Sequence, residues 1–533
     1  MQAATAGPAH ADEAALVARA QVAIEFLEAV REQRALLVAL SDEQRARLLR
    51  AAGEVARPDP WSKRELVRAA QRKRREAQRA ADEQLLAQTG IRKKRQEEVF
   101  ATPLLVPPVA AGVDIDATLA EKQAPVEVAS VREERSCYVC KRKFRTLHFF
   151  YDSMCASCGD FNWHKRSQTA DLSGRIALVT GSRVKIGYQA AIMLLRAGAR
   201  VIVTTRFPRD AAARYAREPD FGIWGARLEI YGLDLRHTPS VELFATHLVR
   251  TLDRLDFIIN NACQTVRRPA GFYEHLMHGE EQPVSNLARA EQTLLASYEA
   301  LRAQGELRRL SSDAGMYESK LTVRGESSHS YGLLDPAALS QLALVDEDLA
   351  RGPELFPRGE LDADLQQVDL RLRNSWRLAL AEVSAVELLE VQLVNAVAPF
   401  MLNARLKPLM LRASTRDKHI VNVSAMEGQF YRTFKTDKHP HTNMAKAALN
   451  MMTRTSAVDY LRDGIHMNSV DTGWVTDEDP IEIAQRKTAE HGFSPPLDIV
   501  DGAARIVDPI LDGINTGNHV WGQFLKDYRP CAW

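Results

Sequence analysis

Four cysteines and one glycine-bounded turn are the residues of this 533-residue chain best placed to do chemistry. Cys137-Tyr-Val-Cys140 and Cys155-Ala-Ser-Cys158 are two CxxC pairs separated by fourteen residues. Two knuckles at this spacing can present four thiolates in a tetrahedron, the preferred arrangement for structural Zn²⁺. Four sulfurs fill the coordination sphere and leave no position for a substrate. The segment between the pairs is short and polar, so metal would supply much of its folding energy. The second feature is TGSRVKIG, Thr180–Gly187, which follows the strand-like IALV and opens the helix-like YQAAIMLLRAG. Such a turn lets backbone amides and a helix N-terminus approach a pyrophosphate. Far downstream, MAKAAL at Met444–Leu449 carries Lys446, with Thr442 four residues earlier. That spacing puts both side chains on one face of a helix.

The length predicts two or three domains. Residues 1–100 form a helical N-terminal region, rich in Ala, Leu, Glu, Arg and Gln. Val22, Ile24, Phe26, Leu27 and Val30 fit a buried helical face. ARPDPW at Ala56–Trp61 divides the region into two helical units. Between Trp61 and Glu98 there are twelve Lys/Arg against six Asp/Glu, including Arg72–Arg75 and Arg92–Arg95. This basic stretch reads as a solvated or partner-facing helix, with a nucleic-acid or acidic-partner patch as the less favoured alternative. Residues 101–130, rich in proline at their start, read as a linker, and 131–166 as the four-cysteine zinc module. From 171 to 533 the runs IALV, YQAAIMLLRAGA, RVIVTT and LDFIINNA alternate strand with helix. The pattern predicts a Rossmann-type α/β fold, a doubly wound parallel sheet. Alternation stops after Cys263 and resumes near Trp376, which marks an insertion at about 266–372. Within it, Ser327-Ser328-His329 reads as a loop and not as a nucleophile pair.

A net charge of +1 predicts neither a nucleic-acid nor a membrane partner. No apolar run approaches the roughly 18 residues that a bilayer span needs, and the N-terminus lacks the pattern of a secretory signal. Six cysteines, with Cys263 and Cys531 isolated, do not make a disulfide framework. A reducing compartment, the cytoplasm, is therefore expected.

After the glycine turn come Asp234-Leu235, Asn260-Asn261-Ala262-Cys263, Val423-Ser424, Lys446 and Asp471-Thr472-Gly473. In this order the set resembles the short-chain dehydrogenase/reductase family, over about Leu172 to Trp533. The resemblance implies NAD or NADP as cofactor, hydride exchange with a small-molecule carbonyl or alcohol, and a homo-oligomer built through helices flanking the sheet. It also implies that Gly181 and Gly187 line the phosphate turn, that Asp234 meets the adenine, and that Asn260 and Ala262 pass beside the adenosine ribose. Asn395 matches the family's helix asparagine, and Gly473 and Thr476 match the loop that closes over the nicotinamide. Two positions depart from the pattern: Lys185 stands where the middle glycine is usual, and Cys263 ends the asparagine motif. Lys185 adds bulk and also a cation near the phosphates. The second strand ends in Thr205 and Arg206 with no acid. A guanidinium suits the 2′-phosphate of NADP, and Arg183 adds a second cation, so NADP is expected, with NAD as the alternative.

The family's proton relay joins a tyrosine, a lysine four residues later and a serine. Ser424, Asn395 and Lys446 are present, but Thr442 occupies the tyrosine position. An aliphatic hydroxyl is a far poorer acid than a phenol, whose pKa is about 10. A literal YxxxK occurs at Tyr431–Lys435, ahead of Pro440 and so on the loop before the helix. Tyr431, His439 and His441 are the candidate substitute acids. The expected function is an NADP-dependent oxidoreductase, of carbonyl reductase or alcohol dehydrogenase type, with a non-standard relay. The alternative is a catalytically reduced NADP(H)-binding sensor or scaffold that uses its helical and zinc segments to bind a protein partner, with a nucleic-acid partner less favoured.

Overall fold

Helix formers dominate the start of the chain, and helices are what they form. The computed structural model describes residues 8–95, 129–314, 333–362, 366–431, 435–491 and 494–533. These divide into two units, Met1–Ala81 and Asp82–Trp533. The expected linker, apart from its last two residues, and Ser327-Ser328-His329 lie outside the described residues.

The first unit holds α1 (Pro8–Glu32), α2 (Asp42–Ala56) and most of α3 (Pro60–Ala87). Ser41 caps α2: its hydroxyl accepts from Gln44 N at 3.2 Å, and Gln44 Oε1 accepts from Ser41 N at 3.1 Å. Arg57-Pro58 ends α2, because the residue before a proline is pushed out of helical geometry. The buried face expected on α1 is corrected here. Val30 and, beyond the helix, Leu37 are buried, but Val22, Ile24, Phe26 and Leu27 are exposed. An apolar stripe is buried only where a second surface faces it. Arg72–Arg75 are all exposed, in a stretch of α3 that is solvated all round.

The second unit begins ahead of the expected boundary at 100. The Asp82 carboxylate accepts the N–H groups of Arg132 (2.8 Å) and Glu133 (2.9 Å), which ties the end of α3 to the cysteine module. A short helix, α4 (Gly90–Lys94), precedes the module's antiparallel hairpin, β1 (Ser130–Ser136) and β2 (Lys143–Thr146), and its helix α5 (Ala156–Arg166).

The Rossmann region then runs β3 (Ile176–Thr180), α6 (Lys185–Arg196), β4 (Arg200–Thr205), α7 (Pro208–Ala216), β5 (Leu228–Gly232), α8 (Thr238–Thr251) and β6 (Phe257–Asn260). Two helices of the insertion follow, α9 (Ala270–Glu280) and α10 (Arg289–Ala314). The sheet resumes with α11 (Ala385–Gln392), α12 (Ala398–Leu411), β7 (Lys418–Ser424), α13 (Pro440–Arg462) and β8 (Ile465–Asp471). Last come α14 (Ile481–His491), α15 (Ile499–Thr516), β9 (Phe524–Lys526) and β10 (Arg529–Cys531). The strand order is β10-β9-β8-β7-β6-β3-β4-β5, parallel except for β10. β3, β4 and β6–β8 are buried along nearly their whole length, as strands covered on both faces must be, with β3 and β6 mostly apolar and β7 and β8 carrying buried polar residues among the apolar ones. The order reverses beside β3, which pairs with β4 on one side and β6 on the other. A crevice opens there at the carboxyl ends of the strands, where such sheets bind their ligands.

The insertion is part of the fold and not an appendage. Leu294, Leu295, Tyr298 and Leu301 of α10 join the main core, and α10 packs on the edge strand β5. Phe272, Tyr273 and Leu276 of α9 form a second apolar cluster with Phe207, Ala337 and Phe356. One further expectation is corrected. The continuous helix Ala385–Leu411, 27 residues with an 18-residue window of mean hydropathy 1.5, is long and apolar enough to span a bilayer by length and composition. In this fold its Val391, Ala398, Leu402, Leu406 and Leu409 are buried, most of them in the core beneath the sheet.

Candidate functional site

The crevice is a cavity of about 1240 Å³ that runs from the glycine turn to the ends of β7 and β8. At the turn, Gly181 has φ +67°, and a Cβ there would stand 2.7 Å from Ala262 Cα. A Cβ on Gly187 would meet Asn261 Nδ2 at 2.2 Å and Gly181 O at 2.4 Å. Both glycines thus let the loop after β6 close against the turn, and Asn261 Nδ2 donates to Thr180 O and Gly181 O, each at 3.1 Å. Lys185 shows why glycine is usual at its position, since it opens α6 with φ +56°. Across the cavity lies Glu478. Burial opposes its ionisation, but Lys185, Thr476 and Arg268 hold its carboxyl below the usual range.

Toward β4 and β5 the wall becomes cationic. Arg206 Nη2 donates to Tyr273 Oη at 2.6 Å, and its guanidinium lies 4.6 Å from that ring's centre. Burial would raise the Tyr273 phenol, yet Arg206, Arg268 and Arg183 together pull it below its ordinary value. Three guanidiniums therefore converge on one end of the cavity. Arg183 is buried and paired with Asp210 at 2.7 Å, and Arg268 pairs with Asp369. Asp234 also lines the cavity. Burial opposes its ionisation, but Arg236 and Arg206 keep it low, and Arg236 Nη2 sits 2.6 Å from it. Ala262 lines the cavity, whereas the Asn260 side chain is buried behind it, donating to Asn403 Oδ1 and Asn422 Oδ1 at 2.8 Å each.

At the other end, Ser424 and Lys446 both line the cavity. Ser424 Oγ donates to Asn450 Oδ1 at 2.6 Å, and Lys446 Nζ donates to Val423 O at 2.8 Å. Asn395 lies in a π-helical turn, Leu393–Val397, between α11 and α12. It grips the Gln264 backbone from both sides, accepting from N at 2.8 Å and donating to O at 3.0 Å. Its placement is behind the loop after β6 and not at the cavity wall. Gly473 (φ +76°) and Thr476 line the wall, with Thr476 Oγ1 donating to Glu478 Oε1 at 2.7 Å.

Three of the proposed proton carriers are placed elsewhere. Tyr431 is 92% exposed, because it sits on the loop before α13 and not on the helix. Thr442 is buried away from the cavity, and its hydroxyl finds no partner among the described residues. His441 points at α11, with Nε2 3.3 Å from Glu387 Oε1. His439 does line the cavity. It enters α13 in the left-handed region (φ +44°), and its ring stacks on Trp376 at 3.8 Å and 8°. Burial lowers its imidazole below the ordinary value.

The four cysteine sulfurs lie within 4.8 Å of one another, with Cys140 Sγ 3.8 Å from Cys155 Sγ. A tetrahedron with Zn–S bonds of about 2.3 Å has edges of about 3.8 Å, so the arrangement fits a tetrathiolate ion. Hydrogen bonding from the Arg142 amide is the largest of the effects that bring the Cys140 thiol down to about 6. All six cysteines are free.

Sequence reasoning missed Tyr273, Arg268, Trp376 and Tyr138, all of which line the cavity. Only Tyr138 lies within a motif, where it is not a ligand, and each arrives through packing of the insertion, of the segment just after it, or of the cysteine module. Residues 175–287 match the family model for short chain dehydrogenases, and residues 372–493 match that for enoyl-(acyl carrier protein) reductases. An uncharacterized protein of Acanthamoeba polyphaga mimivirus is 29% identical over 423 residues, 77% of each chain. That match is longer than the segment from Leu172 to Trp533, so it extends beyond the Rossmann region. Dehydrogenase/reductase SDR family member 13 of Bos taurus is 35% identical over 114 residues, 20% of this chain and 30% of that one. Human retinol dehydrogenase 14 is 33% identical over 117 residues, 19% of this chain. The chain spans only about a third of the length of these two relatives. Among solved structures, the RhlG/NADP complex of Pseudomonas aeruginosa aligns with a TM-score of 0.40 at 17% identity, covering 67% of this chain and 95% of that one. The two family-model matches both fall within the Rossmann region, which is thus similar to the short chain dehydrogenase and enoyl-(acyl carrier protein) reductase models over these two segments.

Proposed function

We propose that the protein is an NADP-dependent oxidoreductase acting between a small-molecule carbonyl and its alcohol, with zinc as a structural ion in the four-cysteine module. The observation that carries this reading is one continuous cavity, bounded by the glycine turn at one end and by Ser424 and Lys446 at the other. When bound, the dinucleotide supplies or accepts the hydride. The convergence of Arg206, Arg183 and Arg268 on Tyr273 favours the 2′-phosphate of NADP over the bare ribose of NAD. Ser424 Oγ lines the cavity and, by turning its one proton from Asn450 Oδ1 to the substrate, polarises the carbonyl. Lys446 keeps one proton on Val423 O and has two more to offer to the ribose and the relay. Thr442 is displaced from the cavity, so His439 takes the acid–base role at the substrate oxygen. A depressed imidazole is neutral near pH 7 and acts there as the base for alcohol oxidation. Carbonyl reduction requires its protonated form and is favoured at lower pH.

Two further features belong to this reading. Phe400 and Leu411 on α12, and Met444, Met451 and Val458 on α13, expose apolar side chains, which suits a homo-oligomer formed through these helices. The unbridged cysteines suit a reducing compartment such as the cytoplasm. The exposed apolar residues Leu16, Val17, Val22, Trp61 and Leu66 favour a second reading, an NADP(H)-binding scaffold whose N-terminal helices engage a protein partner.

The test is a titration of the purified protein with NADPH and NADH, followed by a carbonyl screen on Ser424→Ala, Lys446→Ala and His439→Gln variants. Saturable, NADPH-selective binding and turnover lost in all three variants are expected. Binding without turnover on any carbonyl selects the scaffold reading. Failure to bind either nucleotide rejects both.

A further inference from the structure

The cysteine module shares its core with the loop that follows β8. Leu497 is buried in one cluster with Cys137, Tyr151 and Met154, and Val475 of the loop packs on that cluster. Within the first knuckle, the Tyr138 phenol oxygen accepts the Trp474 N–H at 3.0 Å. A Cβ on Gly473 would come within 3.1 Å of that oxygen and 2.4 Å of Leu497 Cδ1, so the loop fits the module closely at its left-handed residue. Trp474 O in turn accepts from Leu497 N at 3.2 Å. Lys526 extends the contact: its ammonium lies 5.6 Å from the Tyr138 ring centre and 3.2 Å from Asp471 Oδ2. Asp471 Oδ1 accepts from Met426 N at 3.3 Å, two residues beyond Ser424. Tyr138, Asp471, Gly473, Trp474 and Lys526 all line the cavity.

We infer that the cysteine module is a working wall of the nucleotide site, with Tyr138 as a positioning residue that sets the Gly473–Thr476 loop, so that metal occupancy and nicotinamide binding are coupled. This rests on the proposal that the loop closes over the nicotinamide. The knuckle Cys137–Cys140 fixes Tyr138 only while its two thiolates are held together. Without a cation, nothing bonds Cys137 and Cys140 to Cys155 and Cys158, and the knuckle is released. Coupling between two sites is reciprocal, so nucleotide binding must also be felt at the metal.

Two measurements on the full-length protein test this. Tyr138→Phe keeps the ring that packs between Lys141 and Lys526 but removes the acceptor for Trp474 N–H. Its NADPH dissociation constant should rise about three- to tenfold, the weight of one hydrogen bond, with metal content and melting temperature held near wild type. In cobalt-substituted protein, saturating NADPH should shift the cobalt–thiolate absorption of the wild type and leave that of Tyr138→Phe unmoved. Unchanged NADPH affinity in Tyr138→Phe, or a wild-type cobalt spectrum indifferent to NADPH, overturns the coupling alone. A wild type that binds no nicotinamide nucleotide overturns the cofactor reading and the coupling together.

Discussion

Lys185 offers a perturbation whose stability and binding consequences separate cleanly. It follows Val184 in extended geometry and opens α6 at φ +56°, where an L-residue is strained. The left-handed conformation costs such a residue about 1–2 kcal/mol. Glycine avoids that cost but gives back about 0.5–1 kcal/mol through its greater freedom when unfolded. Lys185→Gly should therefore be more stable than Lys185→Ala by about 0.5–1 kcal/mol, since both lose the same ammonium and only alanine keeps the strain. For a unit as large as Asp82–Trp533 that is roughly 0.5–1 °C in melting temperature, readable by calorimetry. The two variants should lose the same amount of NADPH affinity, about tenfold or more if the ammonium meets a phosphate. Equal melting temperatures would refute the strain argument. Undiminished NADPH affinity in both would show that Lys185 does not face the pyrophosphate.

Three other outcomes are expected. Arg206→Gln should weaken NADPH binding by about ten- to a hundredfold while leaving NADH nearly unchanged, since one charge-assisted phosphate contact is lost; equal losses for both nucleotides would place the guanidinium elsewhere. Glu478 is held ionised against burial by Lys185, so Glu478→Gln should tighten NADPH binding by about threefold at this partly screened site, and weaker binding would contradict the competition. Glu280 of α9 accepts the N–H groups of Arg209 and Asp210 at 3.2 and 2.9 Å, yet burial pushes its carboxyl up to about 7. The folded state then binds the extra proton, so the stability this group contributes is present below pH 4.5 and lost as pH rises through 7, by about 3 kcal/mol in total. Urea titrations at pH 5 and pH 8 should show this fall in the wild type and its absence in Glu280→Gln; parallel behaviour would refute it.

The parts of this molecule that follow from local chemistry were legible in the sequence. The turn from Gly181 to Gly187, the alternation that builds β3 through β6, and the convergence of four cysteines all depend on spacing within a few tens of residues. Ser424 and Lys446 were legible because a strand end and a helix face carry them to the same cavity. What depends on packing between distant segments was not. The cationic end needs Tyr273 and Arg268, which the insertion delivers through an apolar cluster around Phe207 and Phe272. Thr442 has the right spacing to Lys446 and is buried on the same helix, but only Lys446 reaches the cavity wall, and spacing alone does not fix how far along a helix the cavity extends. Tyr431 illustrates the converse, a correct four-residue interval on a segment that is not helical. The apolar face read on α1 has the right period, but periodicity does not say what covers it.

The docking of the cysteine module imposes an order on synthesis. Arg166 is buried and donates to Asp498 at 2.5 and 2.7 Å, and that partner lies 332 residues further along the chain. Tyr151 waits for Asp501 across 350 residues, and Lys165 for Asp508 across 343. At the ribosome's pace of about 5–20 residues per second, the module stands finished but undocked for roughly 20–60 s. Through that interval its hairpin and α5 lack the partner that will neutralise an interior arginine, and its thiols are open to oxidants. Capture of a metal ion early in translation would hold the module in shape until α15 emerges, which makes metal supply a determinant of yield as well as of the finished fold.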